Sequence, residues 1–445
     1  MTQPAHTQQL HRVLRIRDGM AVTVGIVIGA GILRTPGLIA GYLGNAWMIL
    51  GVWVLGSVVA GLSTVVLSEM AAALPEAGGK YVYARHAWGP TMGFLAGWSE
   101  LLVSRGFSGA SKAVVIAEYI RILAGRGSVP VLAGCVVLAF FVLHTRGLKA
   151  STVFQNVTTA LKILVILLIA AAGIWAGDMA GFTAGPMLTS TDSTIQGLAL
   201  AYLSVSFACY GWEDAAKMAE EVKDPGRALP KILVGGALAV MILYLLMNIS
   251  FLAALTPQEM AGSELVASDA IADVFGGTAG TVVVLASLLI LISSANVNFL
   301  GLPRVAYGLA RNGLAFKAFA RVDERGTPRN ALYFIAAWIG LLALTGAFEL
   351  LIQFMMMVAI TVDTMVLLGY FRLRATRPEL HRPFRVPLHP WLPGITIALY
   401  IAILAILVST QPYLALGGGA MIAAITVAGW FVARKNRLDA EEARG

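Results

Sequence analysis

Apolar residues gather into long segments separated by short polar stretches along almost the whole chain: 20–43, 46–74, 91–121, 130–145, 155–177, 195–219, 231–256, 279–310, 330–348, 351–371, 391–410 and 413–433. About twenty such residues, wound as a helix, cross the roughly 30 Å hydrocarbon layer of a bilayer. The pattern predicts an all-α integral membrane protein of twelve transmembrane helices. Residues 147–156 read as a short interfacial piece leading into the fifth span. In 372–390 the pairs Arg377-Pro378, Arg382-Pro383, Val386-Pro387 and His389-Pro390 rule out a continuous helix.

Two of the twelve segments carry interruptions. The first contains Gly25, Gly29 and Gly31, then Thr35-Pro36-Gly37; the sixth is polar in its middle, from Ser204 to Asp214. Five spans separate them. Interrupted helices at matching positions of two halves indicate an inverted repeat with a binding site near the midplane, because irregular backbone at membrane depth survives only beside protein or a water-filled cavity. The expected organisation is a 5+5 inverted repeat of the leucine-transporter type. Its parts are a tail (1–19), a first five-helix repeat (20–177), a second (195–373), two additional helices (391–433) and a second tail (434–445).

Composition supports the membrane reading. Of the 445 residues 58% are hydrophobic and 13% charged, against about 25% charged in soluble domains. The net charge of +8 raises the question of nucleic acid, and its placement answers it. With the N-terminus inside, one side receives Arg12/Arg15/Arg17, Lys80/Arg85, Arg146/Lys149, Lys223/Arg227/Lys231, Arg311 through Arg329, Arg372 through Arg385, and Arg434/Lys435/Arg437. The opposite loops hold Arg121 and Arg126 with acids such as Asp178, Asp192, Glu259, Glu264, Asp269 and Asp273. This is the positive-inside pattern, which puts both termini in the cytoplasm and leaves no call for nucleic acid. The polar start, Met1 to Asp18, lacks the apolar core of a cleavable leader. Cys135 and Cys209, inside apolar segments, suggest neither a disulfide framework nor a metal site. No cofactor is implied.

The motifs resemble those of the amino acid–polyamine–organocation superfamily. Val27-Ile-Gly-Ala-Gly-Ile-Leu33 is similar to its first-span signature. Phe207-Ala-Cys-Tyr-Gly-Trp-Glu213, then Ala219-Glu-Glu-Val-Lys-Asp-Pro225 and Arg227-Ala-Leu-Pro230, look like its sixth-span pattern. Further matches at 155–162, 304–313, 327–331 and 382–387 extend the resemblance over about residues 15 to 390. Among members, prokaryotic proteins similar to the L-type amino acid transporters fit best. The resemblance implies a secondary transporter of amino acids, neutral L-amino acids foremost, working by alternating access in the prokaryotic cytoplasmic membrane. Transport would be sodium-independent exchange or proton-coupled. The loop 122–129 lacks the cysteine that tethers eukaryotic light chains, so no disulfide-linked heavy chain is expected.

On physical grounds, small residues at Gly29, Ala30 and Gly31 let a ligand approach unwound backbone, whose freed N–H groups attract a carboxylate. The resemblance assigns the Ala30 and Gly31 amides to that carboxylate and the Val27 carbonyl to the substrate ammonium. Carbonyls around Phe207, Ala208 and Tyr210 would share the ammonium, and the Phe207 ring would be the gate over the substrate. Asn298 takes the place of a tryptophan that stacks on guanidinium in arginine-exchanging relatives. Ser104, Arg105 and Ser108 are polar candidates for the rim; equally, Glu100, Arg105, Lys112 and Glu118 form a charge-paired face inside the bundle.

Three further features stay open between roles. Lys162 is either a snorkelling lysine or, where sodium-independent relatives place an ammonium for an ion, a cation substitute with Ser293 and Ser294. Glu213, an acid near membrane depth, is either a proton-sensitive gate residue or pairs with a hydroxyl across the bundle. Asp214 is at helical spacing from Lys217 and is read as its partner. A polyamine or organic-amine carrier would favour extra acids over carboxylate-binding amides, and a nutrient sensor on the same fold is separated from a carrier by measured flux. Intramembrane enzyme chemistry is disfavoured, since the six histidines fall in the tail, loops or span ends.

Overall fold

The computed structural model describes residues 15–76, 78–144, 149–183, 193–217, 219, 222–322 and 328–442. Among them the regular structure is helical: α1 (Ile16–Val27), α2 (Ala30–Leu43), α3 (Ala46–Ala73), α4 (Lys80–Trp88), α5 (Pro90–Trp98), α6 (Arg105–Ala124), α7 (Val129–His144), α8 (Lys149–Ala176), α9 (Ala180–Thr183), α10 (Thr194–Ala208), α11 (Asp214–Lys217), α12 (Pro225–Ala254), α13 (Pro257–Gly262), α14 (Val266–Phe275), α15 (Gly277–Arg311), α16 (Arg329–Ala343), α17 (Phe348–Thr376), α18 (Trp391–Thr410) and α19 (Pro412–Glu442). A π-helical stretch, Ser99–Ser104, joins α5 to α6 in one rod. Both tails in part, together with Arg146, Glu220, Glu221 and Thr327, lie outside the described residues.

Seven helices are each long and apolar enough to cross a membrane: those within α3, α8, α12, α15, α17, α18 and α19. The α1–α2 pair, bent by 41°, and the rod from Pro90 to Ala124 with α7, bent by 114°, meet the same test as pairs; α10 and α16 are shorter apolar helices. Large apolar side chains stand exposed along them, among them Val131 and Leu138 on α7, Leu164 and Leu168 on α8, and Leu416 and Phe431 on α19. In water such a surface would aggregate; against lipid it is the expected exterior, and the molecule is a multi-pass membrane protein. Trp175 and Tyr413, at helix ends, are more than four-fifths exposed, as ring side chains at a membrane interface are.

Local sequence explains the element boundaries. The Asn45 side chain accepts from the Trp47 and Met48 amides and caps α3. Pro225 opens α12 at a position where a missing N–H costs nothing. The proline-rich run stops α17 at Thr376, and no helix forms again until Trp391. The expected separate interfacial piece at 147–156 is instead, from Lys149 on, the start of the single helix α8, which runs unbroken to Ala176.

Both interruptions expected from sequence are present. Between α1 and α2, Ile28 and Gly29 leave helical geometry. Between α10 and α11 the chain turns through Cys209 to Glu213, with Gly211 at φ +113°, a conformation that glycine adopts without strain. The two breaks meet. A Cβ on Gly31 would lie 2.4 Å from the Ala208 Cα, and one on Gly211 would lie 2.9 Å from Ile26 Cγ2. Position 31 therefore faces 208 while 26 faces 211, so the two broken elements cross antiparallel, with α2 along α10 and α1 against α11.

Candidate substrate-binding and gating site

The break in the first element is held by two side chains from other helices. Lys162 of α8, fully buried, donates to the Gly25 carbonyl at 3.0 Å and the Ile28 carbonyl at 3.3 Å. These are carbonyls that the end of α1 leaves without an intrahelical partner, and a cation there complements the negative end of the helix. The Tyr244 hydroxyl of α12 stands 2.9 Å from the Val27 carbonyl and 3.1 Å from that of Ala208, one oxygen tying both breaks. On the other side, Gly29 lies against Ser294 of α15: a Cβ there would be 2.2 Å from Oγ.

Charged side chains bury themselves on both sides of this crossing. On the side of α1 and α11, Lys80 Nζ lies 2.9 Å from Glu213 Oε1 and 2.6 Å from Asp363 Oδ1. Its ammonium also sits 4.7 Å from the centroid of the Tyr210 ring. Next to it Arg105 pairs with Glu100 at 2.9 Å and with Asp214, while Lys217 pairs with Glu100 and, at 2.7 Å, with Asp214. Glu100 belongs to the π-helical stretch, whose wider turn places it beside Arg105. On the side of α2, Phe207 packs edge-on against Phe348, with ring centroids 5.9 Å apart. The Arg34 guanidinium lies 5.9 Å from the Phe348 centroid and 3.5 Å from Glu118. Ion pairs thus stand on one side of the crossing, and aromatic rings with an ion pair on the other.

A family model described as amino acid permease matches residues 18–431. The chain belongs to the amino acid permease family. That places it in the amino acid–polyamine–organocation superfamily of membrane transporters; the permease is no enzyme. It is similar to the mouse b(0,+)-type amino acid transporter 1, at 27% identity over 90% of this chain and 84% of that protein. The serine/threonine exchanger SteT of Bacillus subtilis is 27% identical over 88% of this chain and 91% of its own. For the human Asc-type amino acid transporter 1 the values are 27%, 85% and 74%.

The residues singled out from the sequence of the permease divide into three groups. Val27, Gly29, Ala30, Gly31, Phe207 and Ala208 come together at the crossing. There the Val27 carbonyl expected to face an ammonium is engaged by Tyr244, and that of Phe207 accepts the Tyr210 amide. Lys162 reaches the first break; of its expected companions, the Ser293 hydroxyl is 2.7 Å from that of Thr158, and Ser294 lies by Gly29. Asn298, one helical turn beyond Ser294, is buried with neither side-chain atom hydrogen-bonded. Tyr210 and Glu213 join the ion-pair cluster, where Glu213 meets a lysine and no hydroxyl. Asp214 pairs with Lys217 as its spacing indicates.

Lys80 is a correction. Counted among loop cations, it is 5% exposed and sits inside the bundle, because the turn at Gly78-Gly79 brings α4 back under α17. Asp363 is the matching omission, and its signal was present: a lone acid within the apolar run 351–371. Tyr244 left none, since a tyrosine in an apolar helix reads as ordinary core.

Proposed function

We propose that the permease exchanges neutral L-amino acids across a prokaryotic cytoplasmic membrane by alternating access, without sodium. One observation carries this reading: two broken elements cross antiparallel, and a buried ammonium stands at the carbonyls freed by the first break. The crossing presents the uncapped N-terminus of α2, whose amides suit the carboxylate of a zwitterion. Twelve spans follow if the pair bent by 41° is one span, the pair bent by 114° two, and α10 and α16 one each beside the seven. A 5+5 repeat of 20–177 and 195–373 accounts for the antiparallel crossing. Neutral substrates fit Asn298 and the serine/threonine exchange named for the Bacillus relative. Positive-inside loops support cytoplasmic termini. With Cys209 buried and Cys135 within α7, no loop cysteine is described that would hold a disulfide-linked partner.

Lys162 is the cation substitute in this reading. A sodium ion about 4 Å from the ammonium would be repelled by roughly 4 kcal/mol at an effective dielectric of 20, close to a thousandfold in affinity. A proton-coupled cycle is the second reading. It is favoured by the buried cluster, where Glu100, Glu213, Asp214 and Asp363 outnumber Lys80, Arg105 and Lys217.

The test is uptake of labelled amino acids and polyamines by proteoliposomes with and without internal counter-substrate. Uptake of neutral amino acids that needs internal substrate supports exchange. Uptake driven by an inward proton gradient alone supports the second reading, and preference for polyamines overturns both.

A further inference from the structure

Among the described residues, the fold gives the buried cations Lys80 and Arg105 and the half-buried Lys217 and Arg34 a carboxylate each, and Lys162 two carbonyls at a helix end. Lys112 of α6 has neither. Its side chain is buried, and its single hydrogen bond is a long one, 3.4 Å, to the Ser294 carbonyl in mid-α15, an oxygen the helix ladder already uses. An ammonium at membrane depth without a counter-charge is expensive and marks a ligand or ion pathway.

Its surroundings share the same deficit. The Ser294 hydroxyl and both side-chain atoms of Asn298 are buried without a hydrogen-bond partner. Lys112 Cε would lie 3.9 Å from a Cβ on Gly29, so its stem stands beside the first break. Gly29 is the residue before α2, and no side chain caps that helix; its first N–H groups are therefore open to an anion. The α2 N-terminus and an unpaired ammonium converge on one place and lack the same thing.

We propose that Lys112 is a substrate-binding residue that forms an ion pair with the α-carboxylate of the amino acid at the α2 N-terminus, with Ser294 and Asn298 donating around it. This rests on the reading that the permease carries amino acids, and it adds a charged contact from α6 to the backbone amides. It also explains why the substrate class needs a carboxylate: an amine without one leaves Lys112 unpaired in the closed state.

The test measures binding of L-serine, L-leucine, L-glutamate and L-arginine, each beside its carboxamide, to the purified full chain. Lys112→Met is expected to weaken each of these acids that the parent binds about 10- to 100-fold and to leave the carboxamides within about twofold, so discrimination between acid and amide collapses. Lys112→Gln, which keeps a donor in the same space, gives a second measurement with the same selective loss. Equal weakening of acids and amides, or unchanged affinity for the acids, overturns the assignment. Loss confined to L-glutamate moves Lys112 to the substrate side chain and overturns it as well. Failure of the unaltered protein to bind any of the four overturns the transport reading itself.

Discussion

Gly31 and Ala208 touch so closely that no side chain fits between them. Gly31→Val would push α2 off α10 and fill the approach to the α2 amides. Its expected outcome is loss of substrate binding by at least a hundredfold, read as the disappearance of ligand-induced thermal stabilisation; a normal stabilisation places the carboxylate elsewhere. Phe207 makes a different kind of contact. Its ring rests edge-on against Phe348 without holding any polar group, so, as the proposed gate, Phe207→Ala is expected to keep affinity within a few-fold while exchange slows by about tenfold or more. Unchanged exchange rules out a gate. Both glycines and Phe207 were legible in the sequence because small residues and an aromatic stood out within signature patterns. Tyr244 and Lys112 were not, since what defines them is the partner brought up, or left out, by another helix.

Each broken element relies on an unbroken neighbour. α8 supplies Lys162, α12 supplies Tyr244, and α4 and α17 clamp the α10–α11 turn through Lys80 and Asp363. Removing the central cation leaves two carboxylates buried without a counter-charge, a loss on the order of 3–5 kcal/mol for a buried pair broken on one side. Lys80→Met is accordingly expected to lower thermal stability in detergent by several degrees, and adding Asp363→Asn to recover part of it. Equal stability of Lys80→Met and the parent would mean the cluster holds nothing. The interruptions themselves could be read from Gly and polar runs, whereas the burial of α4 could not: its nine residues, Lys80–Trp88, are too short and too polar to announce packing inside a bundle.

For the molecule as a whole, the proposed orientation rests on the charge of its loops. Residues 257–278 are expected outside. Ser263, a natural first choice for a reporter in that loop, is buried, so Gln258→Cys in a cysteine-free background is the better one, being exposed on α13. It should react with an impermeant thiol reagent in intact cells; labelling only after lysis inverts the topology. Hydropathy alone reached the seven long apolar helices, because the bilayer imposes length and apolarity on each. It could not reach how the buried ion-pair cluster is built, which depends on pairs more than 100 positions apart, such as Lys80 with Glu213 and Asp363. In the proposed cycle Lys162 does the work of an ion in an amino acid exchanger. The most direct measurement of that role is exchange of labelled L-serine in proteoliposomes with choline replacing sodium on both faces, for the parent and Lys162→Ala. The parent is expected to exchange at an unchanged rate and Lys162→Ala to lose at least nine-tenths of it; exchange by the parent that collapses in choline would contradict the account.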